Sequence, residues 1–153
     1  MIIYIILKSS TAVTAPVFSP KSPASTGGRL DLVLRAIMEA FCLNDHHVNN
    51  VIFYAILAGP PNPPLTLEIN KKLFLSNMKS KINERTLAKV FLSVLKGEEI
   101  LGISVYRADL KNILKKLLEN QVKMYYLHER GKNIDCSIFN HDRVGFILGD
   151  QRG

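Results

Sequence analysis

The stretch VIFYAILA (Val51–Ala58) constrains the fold more than any other part of the chain. It is β-prone, carries no charge and shows no alternation of apolar and polar residues. A strand that is apolar on both faces has to be covered on both faces, which is the situation of a central strand in a parallel α/β sheet. It is stopped by Gly59-Pro-Pro-Asn-Pro-Pro64, since proline cannot donate to a sheet ladder. Parallel strands require long crossovers, so helices are expected between the remaining strands. A chain of 153 residues fits one such domain and can bury roughly 70% of its unfolded surface, so residues 1–153 are read as a single domain.

The other elements follow from periodicity. MIIYIILKSS has no basic residue ahead of its apolar stretch and is ended by Lys8, so it reads as a first buried strand rather than a signal peptide. No apolar run approaches the ~18 residues of a membrane span. Residues 9–28 are rich in Ser, Thr and Pro, with Pro16, Pro20 and Pro23 precluding a regular helix. This long loop is either a substrate-facing element or a mobile linker. Leu30, Val33, Leu34, Ile37, Met38 and Phe41 fall on one helix face between Gly28 and about Asn44. Opposite them Asp31, Arg35 and Glu39 stand four apart and read as a solvated, salt-bridged row. LTLEI is a shorter strand, and Lys71, Lys72, Lys79 and Lys81 mark an exposed basic stretch. Two more amphipathic helices span Leu87–Leu95 and Leu110–Leu118, with GISVY extended between them; VKMYYL and VGFIL are strands.

Lysine and arginine exceed aspartate and glutamate by 20 to 13, a net charge of +7, which permits a polyanionic partner without requiring one. Cys42 and Cys136 are far apart and form no CxxC, which suggests a reducing compartment, the cytoplasm. His46, His47, His128 and His141 match no metal-ligand spacing, so no metal is expected. Neither GxGxxG, GxxxxGK[ST] nor GxSxG occurs, which disfavours dinucleotide, P-loop and serine-hydrolase chemistry. In open α/β sheets ligands bind beyond the carboxyl ends of the strands. Two Gly-containing loops are expected there, HERGKN and GDQRG. Leu127 with Gly131, and Leu148 with Gly149 and Asp150, are therefore the candidate walls of one pocket, where small residues admit a close backbone approach to a purine or carboxylate.

Four segments, GRLDLVLRAIMEAF, VIFYAILAGPPNPPLTLEI, YYLHERGKN and FILGDQRG, in that order and spacing resemble the archaeal-type tRNA pseudouridine-54 N1-methyltransferases, a branch of the SPOUT knotted methyltransferases. The resemblance covers Gly28 to Gly153, with Asn70 to Ile100 poorly matched. It implies an α/β SPOUT-like parallel sheet with flanking helices, acting as a homodimer without metal or membrane. It also implies transfer of a methyl group from S-adenosyl-L-methionine to N1 of a pseudouridine in the tRNA T-loop. By motif, Leu127 and Gly149 would line the adenosine pocket while Arg29 and Asp31 would face the tRNA. Asp31 is then the candidate to take the N1 proton, and Arg29 to contact phosphate or base. The family pattern continues for several tens of residues past the Gly-Asp loop, threading the trefoil knot. The chain is accordingly expected to be carboxyl-terminally truncated, with an incomplete knot and weak cofactor binding. Two other readings stay open: a non-catalytic RNA-binding remnant, and a related enzyme acting on ribosomal RNA.

Overall fold

The computed structural model describes residues 1–42, 50–78 and 81–149. The chain runs β1 (Ile2–Ser9), α1 (Pro23–Thr26), α2 (Leu30–Cys42), β2 (Val51–Leu57), β3 (Leu65–Asn70), α3 (Lys71–Ser76), α4 (Glu84–Leu95), β4 (Ile103–Tyr106), α5 (Leu110–Glu119), β5 (Lys123–Tyr126), a 3-10 turn (Cys136–Asn140) and β6 (Arg143–Gly149). The strands form one sheet in the order β4-β3-β2-β1-β6-β5.

Strands β2, β1, β6 and β5 are mutually parallel, but β3 and β4 are antiparallel to their neighbours. The expected parallel sheet is present in these four strands, and two antiparallel strands extend it at one edge. The cause lies in the connection: residues 59–64 are too few for a crossover, so the chain leaving β2 can only turn back beside it.

Strand β2 is buried on both faces, as its composition requires. On one side Leu30, Val33, Leu34, Ile37 and Phe41 of α2 and Leu87, Ala88, Phe91 and Val94 of α4 pack over Val51, Phe53, Ala55 and Leu57. On the other, Ile113 and Leu117 of α5 cover Tyr4, Ile6, Tyr54 and Ile56. Reciprocal capping boxes at Asn83–Thr86 and Asp109–Asn112 start α4 and α5, satisfying backbone donors that the first turn leaves open. Among the described residues no helix is long and apolar enough to cross a membrane.

Three local expectations change. The 9–28 loop is packed rather than floppy, with Ala12, Val13, Thr14 and Phe18 buried. It contains the one-turn helix α1, which begins at Pro23, a position where the missing N–H is harmless. Lys71 is buried rather than exposed: it is the first residue of α3, which Asn70 caps directly at the end of β3, and α3 lies against β2 and β3. Lys72 and Lys81 are exposed, and Lys79 lies outside the described residues. Asp31 is not on a solvated row: it is 2% exposed, although the exposed Arg35 guanidinium does stand 3.7 Å from its carboxylate and 3.5 Å from that of Glu84.

Under α5 a polar cluster joins three strands and a helix. Glu68 of β3 accepts hydrogen bonds from the hydroxyls of Tyr54 and Tyr106, the latter at 2.9 Å. The Lys116 ammonium stands 3.6 Å from the Glu68 carboxylate and 4.9 Å from the Tyr106 ring centre. Burial, and then the bond to Glu68, pushes both phenols above their ordinary range, Tyr54 most strongly. The unfolded phenols ionise near pH ~10 while the native ones stay neutral. The stability from this cluster is thus fully present below about pH 10 and is lost as pH rises beyond it. Denaturant titrations from about pH 8 to 11 should show a steep alkaline loss that Tyr54→Phe makes shallower; parallel alkaline limbs in the two proteins would contradict this.

Candidate functional site

Because β1, β2, β5 and β6 run in one direction, their carboxyl ends share one edge of the sheet, and the segments beginning at residues 10, 58 and 127 leave from it. The first two are locked together. The Thr14 hydroxyl donates to the Gly59 carbonyl at 3.2 Å and accepts from the Asn62 N–H at 2.7 Å, while the Thr14 N–H donates to the Pro60 carbonyl at 3.0 Å. From the loop before α5, the Arg107 guanidinium donates to the carbonyl of Asn62. The proline loop is thereby held from both sides.

Thr11 meets both that loop and the turn before α2. A Cβ on Gly28 would lie 1.9 Å from the Thr11 carbonyl oxygen, and one on Gly59 only 2.2 Å from that same oxygen. Both positions need glycine for this contact, and Gly28 has φ +64 as well. Arg29 follows with φ 64, an uncommon conformation for a residue with a side chain. From there its Nε and Nη2 both donate to Asp31, at 3.0 Å each, in a bidentate fork. The Asp31 carboxylate is 2% exposed while Arg29 is 56% exposed. A buried anion thus fixes one side of a guanidinium whose remaining donors face solvent, an arrangement suited to a phosphate or a base edge. The hydrogen bond to Asp31 raises the Arg29 pKa further above its ordinary value, so the fork stays charged at any working pH. The structure brings together the two residues that the GRLD motif singled out.

The second set lies beside β5. Leu127 and Gly131 line one open cleft of about 850 Å³ together with Tyr125, Tyr126, Ile134 and Ile138, a volume within the ~300–1,000 Å³ of small-ligand sites. The Leu127 N–H donates to the Ile147 carbonyl of β6 at 3.0 Å, and the Gly131 N–H closes a turn on the His128 carbonyl at 2.9 Å. Leu148 and Gly149 belong to β6 itself, paired with Leu7 and Lys8 of β1, and do not line this cleft; Leu148 packs toward the α2 core. Asp150 lies outside the described residues. The lining combines apolar side chains and the Tyr126 ring, which stands 5.8 Å from that of His128, with polar groups of Asn133, Asp135 and Ser137, a mixture compatible with an adenosine. Sequence reasoning missed Tyr126 and Ile134, whose exposure of 58% and 57% is large for apolar side chains, and also Thr11 and Thr14. The only signal for those two was their place just past a buried strand.

Among the described residues no group of three His, Cys, Asp or Glu is placed to hold a metal ion; His46 and His47 fall outside those residues.

A family model for SAM-dependent RNA methyltransferases matches residues 1–153. The chain is 33% identical to the tRNA (pseudouridine(54)-N(1))-methyltransferase of Thermococcus onnurineus and 31% identical to that of Methanococcus maripaludis, in each case over 97% of this chain and 77% of the relative. Among solved structures, Nep1 of Archaeoglobus fulgidus bound to S-adenosylhomocysteine superposes with a TM-score of 0.64 at 10% identity, covering 97% of this chain and 77% of that one.

Proposed function

The chain belongs to the family of SAM-dependent RNA methyltransferases, and we propose from that premise that it methylates N1 of pseudouridine 54 in tRNA. The observation that carries this reading is the likeness of 97% of the chain to enzymes of that activity. Its SPOUT-type sheet supports it, as does the Arg29–Asp31 pair at the carboxyl edge.

S-adenosyl-L-methionine supplies an electrophilic methyl group on a sulfonium when bound. Leu127 and Gly131 are the residues that would hold its adenosine. N1 of pseudouridine bears a hydrogen, so the new N–C bond requires that proton to leave. The Asp31 carboxylate is assigned to accept it, through a lone pair that the Arg29 fork leaves free. Arg29, held rigid by that fork, positions the RNA through phosphate or base contacts.

The enzyme acts in this reading as a cytoplasmic homodimer. Apolar surface for a second copy is offered by the half-buried Tyr125 and Phe146, stacked at 6.0 Å across β5 and β6.

The RNA side is tested by salt. Lys72, Lys81, Lys111 and Lys115 are exposed, and contacts of this kind release counterions, so tRNA affinity should fall linearly on a log–log plot as salt rises, with a slope of roughly −0.9 per phosphate contact. A filter-binding titration without tRNA association even at low salt would contradict the proposal.

A further inference from the structure

We infer that Thr11 is a positioning residue that aims Arg29 at the RNA, a role that rests on the methyltransferase reading above. Two residues beyond the end of β1, the Thr11 hydroxyl donates to the Gly28 carbonyl at 2.6 Å. That carbonyl belongs to the first of two consecutive left-handed residues, Gly28 and Arg29. The peptide groups around it are tied as well. The Gly27 carbonyl accepts from the Val13 N–H at 3.2 Å, the Arg29 N–H donates to the Ala24 carbonyl at 3.1 Å, and the Arg29 carbonyl accepts from the Leu32 N–H at 3.2 Å. The Thr11 bond alone in this set comes from a side chain, so it can be removed while the backbone stays whole.

The turn matters because of where it sends the arginine. Residues two apart on a helix do not face each other. A helical Arg29 would therefore point away from Asp31. Left-handed backbone at Arg29 lets its Nε and Nη2 both reach the Asp31 carboxylate at 3.0 Å. A non-glycine residue persists in that conformation only when its surroundings over-determine it. The Thr11 backbone is itself confined, since its carbonyl oxygen occupies the space that a Cβ on Gly28 or Gly59 would need. Its hydroxyl therefore transmits the position of the β1 and β2 ends to the RNA-facing guanidinium.

Thr11→Val keeps the shape and deletes the hydroxyl; Thr11→Ser restores it. In a nitrogen-15 spectrum of the arginine Nε–H groups, the Arg29 signal should be protected in the wild type by its bond to Asp31. It should be lost or strongly broadened in Thr11→Val and recovered in Thr11→Ser. In methylation assays Thr11→Val should lower kcat/KM for tRNA by about ten- to a hundredfold, the size expected of a displaced positioning group. In an Arg29→Ala background the same change should alter kcat/KM by less than about twofold, because coupled residues are not additive. If Thr11→Val does not fold, Thr11→Ala carries the same expectations. An Arg29 signal that stays protected without the hydroxyl, or a loss that multiplies with that of Arg29→Ala, would overturn the role of Thr11. A wild-type protein inactive on tRNA would instead overturn the methylation reading, and the spectrum would still decide the link from Thr11 to Arg29.

Discussion

Replacing Asp31 with Asn should slow methylation of tRNA by roughly a hundred- to ten-thousandfold, the usual contribution of a positioned general base. The amide keeps the size of the carboxylate and one oxygen that can accept from Arg29, so tRNA affinity should fall only about tenfold, the scale of one weakened charge-assisted hydrogen bond. Single-turnover rates beside equilibrium binding of the same tRNA separate the two effects. Equal losses would mean that the carboxylate serves only to hold Arg29, which its 2% exposure and bidentate contact also equip it to do.

Gly59→Ala should destabilise the protein strongly, although it adds a single methyl group. The added Cβ would lie 2.2 Å from the Thr11 carbonyl oxygen and 2.5 Å from that of Ala12. Both neighbours are backbone, and Ala12 is fully buried, so neither can swing aside as a side chain would. Overpacking of this kind costs about 3 kcal/mol, which for a domain of this size lowers Tm by roughly 6–12 °C. Gly97→Ala is the internal comparison, since nothing lies within 4 Å of its Cβ position and only its positive φ resists the change. A Tm for Gly59→Ala at or above that of Gly97→Ala would show that the two loops are not clamped as described.

The parts of the fold legible in the sequence are those set by local pattern. The uninterrupted apolar run of Val51–Leu57 announced a strand buried on both faces, and the four-residue spacing from Leu30 to Phe41 announced the face of α2 that meets it. The direction of β3 was not written in composition, since parallel and antiparallel strands share the same residues. The shortness of the Gly59–Pro64 loop carried that information. Lys71 and Asp31 misled because residue type predicts exposure, whereas their burial comes from distant segments: the sheet behind α3, and the 9–28 loop folded over the start of α2. For the site, the GRLD motif located Arg29 and Asp31. It could not disclose the left-handed turn that joins them, and Thr11 is one hydroxyl among many in a Ser/Thr-rich loop. Leu127 and Gly131 share a cleft because they flank one strand end, while Leu148 and Gly149 answer to the ladder with β1.

Locating the methyl group on the RNA decides whether this protein is a pseudouridine-54 N1-methyltransferase. The protein is incubated with S-adenosyl-L-methionine and either of two tRNAs, one carrying pseudouridine at position 54 and one carrying uridine there, and nuclease fragments are weighed by mass spectrometry. N1 of uridine is bonded to the ribose and has no hydrogen to replace, so only the first tRNA offers the acceptor. One added methyl group is expected at position 54 of the pseudouridine tRNA and none on the other; methylation of both tRNAs, or at a different nucleotide, would rule the proposed reaction out.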